Sequence, residues 1–470
     1  MPLPETFSLV VLGQGSSGLD VAAWALRHPE RVSAVTVVGG AKSAPTESTR
    51  ALEAAGARFV YGTEEVPGSY DVCVASPGIS EFSDFFAAGR AASREIMGEP
   101  ELAWRVSPER WVCVTGTNGK TTTTTLVNAL LNEAGLPSVA VGNIGEPPIN
   151  EVDARKPGEW FAAELSSFQI ATTTELHPRV AVLLNITDDH LAWHRTHEAY
   201  ALAKIRLFRN MSGDDLAIVD AEDPGIAAYA DKVYVPGRRV CRLSFADACT
   251  PDAAFVRDGV LTVRLAGVET PLVRADELRI RGHHNVVNAL AAASAALACG
   301  ADAASVRAGL RAFEPLEHRV EPCGEIDGVR FVNDSKATNT DAVEKALTAF
   351  PNDRVILLLG GHDKGTPLED FSRAVVGGSV AIVCYGEARE RFHAALAKAA
   401  AGTPVRILDA AHLRDAVDEA RGIAQAGDVV LLSPACSSFD EFSGFEERGR
   451  AFKAYLDEIR AAERGPKASE

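Results

Sequence analysis

The sequence predicts an α/β protein of three domains. These are an N-terminal Rossmann-like domain, a central phosphate-loop domain built on a parallel sheet, and a C-terminal Rossmann-like domain. Three observations carry this expectation. At 470 residues the chain is too long for one core, and at ~100–200 residues per domain about three are expected. Two apolar strands, at 7–13 and 112–115, each run into a glycine turn and then a helix. The last third alternates short apolar strands (329–332, 355–359, 381–385 and 429–432) with helical stretches, the spacing of a parallel sheet. Breaks near residues 100 and 313 divide the chain into 1–99, 100–313 and 314–470, the first at Pro100 and Pro108, the second at the 313–319 run Phe-Glu-Pro-Leu-Glu-His-Arg.

Apolar residues make up 46% of the chain and charged residues 24%, the balance of a soluble globular enzyme. A net charge of −17 argues against nonspecific binding to nucleic acid or to an anionic membrane. An anionic substrate must therefore be met by local cations. The eight cysteines, at 73, 113, 241, 249, 299, 323, 384 and 436, are scattered without a Cys-x-x-Cys pair. That pattern argues against a disulfide scaffold or zinc site and best fits a reducing cytoplasm. No signal peptide and no apolar run of transmembrane length is visible.

In the first domain, strand 7–13 leads into Gly13-x-Gly15-x-x-Gly18 and a helix from about 19 to 27. A dinucleotide site also wants an acid at the end of the second strand, to hold the ribose hydroxyls. Here that strand, 34–38, ends in Gly39-Gly40-Ala41-Lys42, which makes a dehydrogenase a poor reading. A Rossmann-like domain for another phosphate-bearing ligand remains. The strand at 70–75 runs into Ser76-Pro77-Gly78-Ile79, a turn that suits either a ligand or structure alone.

The second domain opens on the stretch that organises the chain, Thr115-Gly-Thr-Asn-Gly-Lys-Thr-Thr122. Glycines let the backbone turn its N–H groups toward a phosphate chain, and the helix that follows adds positive charge at its N-terminus. Lys120 is set to reach terminal phosphates and Thr121 a magnesium ion. Val114 stands where the standard P-loop has its first glycine, so the loop is a shortened one. Glycines alone would suit any tight turn; Lys-Thr directly after them points to nucleotide phosphate. The apolar strand at 160–164 ends in Glu164, where a phosphate-loop enzyme needs an acid for its metal. A surface carboxylate would sit oddly among Phe161, Leu165 and Phe168. A further strand delivers Asn185-Ile-Thr-Asp188-Asp189-His190, with three polar metal-capable groups at one strand end that suit either a second metal site or the shell around the first. In a helix over 198–210, Lys204 lies among Ala201, Ile205 and Phe208. On the residues alone it reads as a lysine snorkelling from an apolar face.

Residues 214–281 read as short strands with Asp/Gly turns, and Gly282-His-His-Asn285-Val-Val-Asn288 opens a helix ending near Gly300. Asn285 and Asn288 share one helix face and suit caps and purine contacts equally. In the last domain the polar runs follow strand ends, where ligands of a parallel sheet collect. They are 333–339 (Asn-Asp-Ser-Lys-Ala-Thr-Asn), 360–365 (Gly-Gly-His-Asp-Lys-Gly) and 433–442.

The loop 115–122, the 164–169 run Glu-Leu-Ser-Ser-Phe-Gln, Asp189-His190 and His283–Asn288 together resemble the Mur ligases, ATP-dependent amino-acid-adding enzymes of peptidoglycan synthesis. The runs 333–339 and 432–442 are similar to the D-glutamate-adding branch. The Asp-Asn-Pro-Arg signature of the diaminopimelate-adding branch is absent. The resemblance covers nearly the whole chain, strongly from about 111 onward. It implies a UDP-binding first domain and an ATP site of Gly116, Thr117, Asn118, Gly119, Lys120, Thr121 and Thr122, completed by Asn285, Asn288, Arg319 and Asp334. It implies two magnesium ions, with Thr121 and Glu164 at the first, His190 at the second, and Lys204 as a carbamylated, metal-facing group; that overrides the snorkelling reading. Lys120, Glu164, His190 and Lys204 would be the catalytic set.

The implied substrates are UDP-N-acetylmuramoyl-L-alanine, met by Ser16, Ser17, Asn143, Ser166 and His190, and D-glutamate. The D-glutamate pocket would be Lys336, Thr338, Lys364, Ser438 and Phe445. A cytoplasmic monomer, with neither nucleic acid nor membrane as partner, is the expectation. The departure lies at Val38-Gly39-Gly40, where members that bind uracil there often carry an acid. A folylpolyglutamate synthase-like ligase or a different Mur ligase is the alternative enzyme. An ATP-switched binder without chemistry is the alternative of another class, and it would not need the intact set Lys120, Thr121, Glu164, His190 and Lys204.

Overall fold

A computed structural model describes residues 3–187, 189–363 and 365–463. The chain forms two compact units, Met1–Leu278 with Val287–Phe313, and Arg279–Val286 with Glu314–Glu470.

The first unit holds two sheets. One comprises β1 (Phe7–Leu12), β2 (Val32–Val38), β3 (Arg58–Val60), β4 (Tyr70–Ala75) and β5 (Ser93–Gly98). Its order is β3-β2-β1-β4-β5, parallel throughout. Leu9, Val10, Val11 and Leu12 are all fully buried, because a parallel sheet covered on both faces leaves neither face of a central strand to water. The helix Ser16–Arg27 begins three residues earlier than expected.

The second sheet comprises β6 (Trp111–Thr115), β7 (Ser138–Gly142), β8 (Trp160–Glu164), β9 (Val180–Leu183), β10 (Leu216–Asp220), β11 (Val240–Leu243), β12 (Ala253–Arg257), β13 (Val260–Leu265) and β14 (Val268–Arg274). The order is β14-β13-β12-β11-β10-β9-β6-β8-β7. It is parallel from β7 to β12, and β13 and β14 close it as an antiparallel meander. The strands expected over 214–281 are thus β10–β14. The helix expected over 198–210 runs only His197–Ile205 and tightens into a 3₁₀ turn, Arg206–Phe208.

A buried polar clasp fixes the two sheets to each other. Fully buried Glu101, on the helix Glu99–Val106 after β5, accepts backbone N–H bonds from Thr174, Glu175 and Leu176. Arg105 donates to Glu101 and, through both Nη atoms, to Glu95 on β5. A carboxylate removed from water holds its charge only with such a set of donors.

The second unit has one sheet: β15 (Glu321–Ile326), β16 (Val329–Asn333), β17 (Val355–Gly360), β18 (Ala381–Tyr385), β19 (Arg406–Asp409) and β20 (Val429–Ala435). Its order is β15-β16-β20-β17-β18-β19, parallel except for the edge strand β15. The four expected strands are present, joined by β15 and β19 at the edges. The three polar runs follow β16, β20 and β17, which are neighbours, so one sheet edge gathers them.

Candidate active site

The loop after β6 is shaped by two glycines at positive φ, Gly116 (155°) and Gly119 (83°). A Cβ on Gly119 would lie 2.6 Å from Asn288 Oδ1 and 3.0 Å from Leu184, so only glycine fits there. The helix Lys120–Glu133 starts directly after it. Asn185 clamps the loop: its Oδ1 accepts from Asn118 N (2.8 Å) and its Nδ2 donates to Asn118 O (3.2 Å). This is why Asn185, expected among metal-capable groups, serves as a backbone mimic instead. Thr117 Oγ1 lies 2.9 Å from the Tyr200 hydroxyl. Thr123 donates to Asn288 Oδ1 at 3.2 Å, which ties the loop's helix to the helix His283–Ala298. That helix starts at His283, so neither Asn285 nor Asn288 holds its N-cap. Asn285 Nδ2 donates to Arg281 O at 2.7 Å.

Two lysines converge on one carbonyl. Lys120 Nζ donates to Gly116 O (3.0 Å) and Thr117 O (2.9 Å). Lys204 Nζ donates to the same Gly116 O at 2.7 Å and lies 4.5 Å over the Tyr200 ring. Lys204 is 2% exposed, which overturns the snorkelling reading. Burial and then the neighbouring Lys120 charge push its ammonium well below the usual lysine value, against the pull of Asp189 and Glu164. Thr121 is half-buried and Thr122 buried in the first helical turn.

Glu164, at the end of β8, is 2% exposed. Its Oε1 accepts from Asn143 Nδ2 at 2.9 Å, while its buried Oε2 has no hydrogen-bond partner among the described residues. A buried carboxylate oxygen so left lacks a cation or donor. Among the described residues no three His, Cys, Asp or Glu side chains form a metal cage. Magnesium suits such a place, because it takes one or two protein oxygens and fills its shell with phosphate and water. Asn143 is exposed and so bridges Glu164 to the surface. The Ser166 hydroxyl is engaged in a capping box with Gln169 (2.9–3.3 Å).

His190, 47% exposed at its side chain, sits at φ 55° beside Asp189, with Nε2 3.4 Å from Oδ2. Its ring and that of Phe168 meet in a T-shaped contact, centroids 4.7 Å apart. His194 is fully buried and bonds Ser167 Oγ at 2.9 Å; burial first, then Lys204 and His190, hold its pKa down at about 4. Ser16 is exposed and Ser17 half-buried at the start of their helix.

In the second unit, Lys336 Nζ lies 3.7 Å over the Phe445 ring, and Ser335 Oγ donates to Phe445 O (2.8 Å). Ser438 is 2% exposed and Thr338 half-buried. Asp334 is buried and accepts from Ser433 Oγ (2.7 Å) and Val320 N (3.2 Å); burial raises its carboxyl to about 7. Half-buried Arg319 stands between His318 and Val320, both at positive φ (63° and 46°). For a β-branched residue such as Val320 this is strained backbone. Asp188 and Lys364, both singled out in the sequence, lie outside the described residues.

Two family models match the chain, the Mur ligase middle domain over residues 114–296 and the Mur ligase glutamate ligase domain over 318–436. The UDP-N-acetylmuramoylalanine–D-glutamate ligase of Pelotomaculum thermopropionicum is 39% identical over 451 residues, 95% of this chain and 96% of that protein. The chain belongs to the Mur ligase family. The same-named ligase of Geobacter metallireducens is 38% identical over 97% of this chain and 98% of its own. The solved pseudomurein peptide ligase type C of Methanothermus fervidus covers 97% of this Mur ligase and 100% of its own chain, with a TM-score of 0.58 at 17% identity. That likeness bears on the fold alone.

Sequence reasoning missed two residues that organise this Mur ligase. Arg448 is fully buried and donates to Ser335 Oγ, Ser335 O, Cys436 O and Ser437 O. It thereby staples the loops after β16 and β20. The sequence marks it only as an arginine in the first turn of an amphipathic helix. Tyr200, one turn before Lys204, braces both Thr117 and Lys204; the i, i+4 spacing was the available signal.

Proposed function

We propose that this Mur ligase uses ATP to join D-glutamate to UDP-N-acetylmuramoyl-L-alanine in the synthesis of peptidoglycan precursors. The observation that carries the reading is the near full-length identity of 38–39% to ligases of that name. An alanyl carboxylate oxygen attacks the γ-phosphorus and ADP departs. The amine of D-glutamate then attacks the acyl phosphate, loses a proton, and expels inorganic phosphate from the tetrahedral intermediate to leave an amide.

In this reading Gly116–Thr122 wrap the ATP phosphates, Lys120 moves from its loop carbonyls to them, and Asn285, Asn288, Arg319 and Asp334 complete the nucleotide site. Thr121 and Glu164 hold one magnesium ion, supported by the unpartnered Oε2; His190 and Lys204 serve a second. Bound magnesium supplies charge neutralisation for the transferred phosphoryl group. Carbamylation of Lys204 joins its neutral amine nitrogen to the carbon of CO₂ with loss of one proton. The depressed pKa supports it, since only the neutral amine reacts. Ser16, Ser17, Asn143, Ser166 and His190 face the UDP-sugar. Lys336 and Lys364 pair with the carboxylates of D-glutamate, beside Thr338, Ser438 and Phe445.

The three segments 1–99, 100–313 and 314–470 act as UDP-sugar, ATP and amino-acid domains of a cytoplasmic monomer. Among the described residues no helix is long and apolar enough to cross a membrane. The test is ATP-dependent phosphate release with UDP-N-acetylmuramoyl-L-alanine and D-glutamate, L-glutamate or no amino acid. Release with D-glutamate alone is expected. Equal release with L-glutamate, or none with either, overturns the assignment.

A further inference from the structure

The first domain's glycine turn and the His190 loop are joined by contacts centred on Trp193. The Ser76–Ile79 turn packs on the glycine turn: a Cβ on Gly13 or Gly18 would lie within 3 Å of Ser76 Oγ. Ser17, Pro77 and Gln169 line one narrow cleft. From the other side, Trp193 Nε1 donates to Pro77 O at 3.1 Å. Ser80 Oγ donates to Trp193 O at 2.8 Å, and Arg195 donates to Phe82 O at 2.7 Å.

Two routes lead from Trp193 to His190. The Trp193 backbone N–H donates to His190 O at 3.0 Å, in the turn where His190 takes its positive φ of 55°. The indole stacks on Phe168 at 4.7 Å with ring planes 23° apart, and the Phe168 and His190 rings meet in a T-shaped contact with centroids 4.7 Å and planes 61° apart. Phe168 itself belongs to the run that begins at Glu164, the last residue of β8. The Ser76–Ile79 turn and the His190 loop therefore move as one only while both ties, the indole N–H to Pro77 O and the Ser80 hydroxyl to Trp193 O, stay formed. From His190 the contacts continue to the phosphate loop through Tyr200, whose ring centroid lies 6.3 Å from that of His190 and whose hydroxyl lies 2.9 Å from Thr117 Oγ1.

We propose that Trp193 is a positioning residue that couples UDP-sugar binding at the first domain to nucleotide binding at the phosphate loop. The proposal rests on the functional reading above for the identity of the two ligands. Coupling between sites is a ratio of affinities and is reciprocal, so it is read without turnover.

The experiment is titration calorimetry of UDP-N-acetylmuramoyl-L-alanine on the full chain, with and without saturating Mg-AMP-PNP. In the native protein the nucleotide is expected to tighten UDP-sugar binding at least about fivefold, the lower end of ordinary coupling. Trp193→Phe keeps the ring stack and loses the Nε1 donor. Ser80→Ala loses the second tie and leaves the indole intact, which guards against misfolding of the first variant. Each folded variant is expected to bring the ratio close to one, with Mg-AMP-PNP alone binding as in the native protein. A native ratio of one, or a native-like ratio in either folded variant, overturns the coupling role. Absence of UDP-sugar binding to the native protein overturns the functional reading, and the coupling of these two ligands falls with it. Binding and coupling without D-glutamate-dependent phosphate release overturns the functional reading alone.

Discussion

Lys204→Met is expected to lower turnover about a thousandfold, roughly 4 kcal/mol of transition-state stabilisation, and at the same time to raise the unfolding temperature at pH 7. The two effects have one source. Lys204 is buried at 2% exposure, and burial with the Lys120 charge pushes its pKa well below 10.5. The unfolded chain keeps the ordinary value. Between the folded and unfolded pKa values, unfolding therefore takes up a proton, and stability falls as the pH falls. Methionine fills a similar volume and removes that penalty. It leaves Gly116 O satisfied, because Lys120 Nζ still donates to it at 3.0 Å. In bicarbonate-free buffer the gain should be largest in the acid range and should vanish as the pH approaches 10.5. Each kcal/mol released raises the midpoint by roughly 2–4 °C. Added bicarbonate should raise the activity of the native protein and leave that of the variant at its floor. Full activity of Lys204→Met would remove Lys204 from the chemistry, and a lowered midpoint at pH 7 would contradict the burial argument.

The phosphate loop and its helix were legible because glycine, lysine and threonine at fixed spacing have few alternative uses in a strand-turn-helix. Glu164 was legible for a related reason: a carboxylate ending a fully apolar strand demands a partner. The three neighbouring polar runs after β16, β17 and β20 followed from the parallel-sheet rule alone. The status of Lys204 was not legible from local pattern. A helix face of alanine, isoleucine and phenylalanine reads as a surface for snorkelling, and only the packing of Tyr200 and Gly116 around it shows that the side chain is buried. Asn185 looked metal-capable because an amide ligates as readily as it clamps a backbone. Which it does depends on Asn118, 67 residues away in sequence. Arg448 was invisible for the same reason, its partners at 335, 436 and 437 lying in other segments. Spacing within a segment reads well, whereas polar satisfaction across segments is a property of the fold.

Glu164→Gln isolates the other arm of the site. The substitution keeps the length of the side chain and an oxygen to accept from Asn143 Nδ2, now at 2.9 Å from Oε1. It replaces Oε2, which has no hydrogen-bond partner among the described residues, by an amide nitrogen, which repels a cation. Turnover is expected to fall about a thousandfold, and the magnesium concentration needed for half-maximal activity should rise steeply. Metal-free ADP should bind as before, because the loop glycines, Lys120 and the helix N-terminus are untouched. The unfolding midpoint should not fall, since a net charge is removed from a site with 2% exposure. A variant equally active at ordinary magnesium would show that the carboxylate is structural. A variant that lost metal-free ADP binding would show instead that Glu164 shapes the phosphate loop, through the β6–β8 pairing of Val114 with Glu164, and acts on catalysis only by that route.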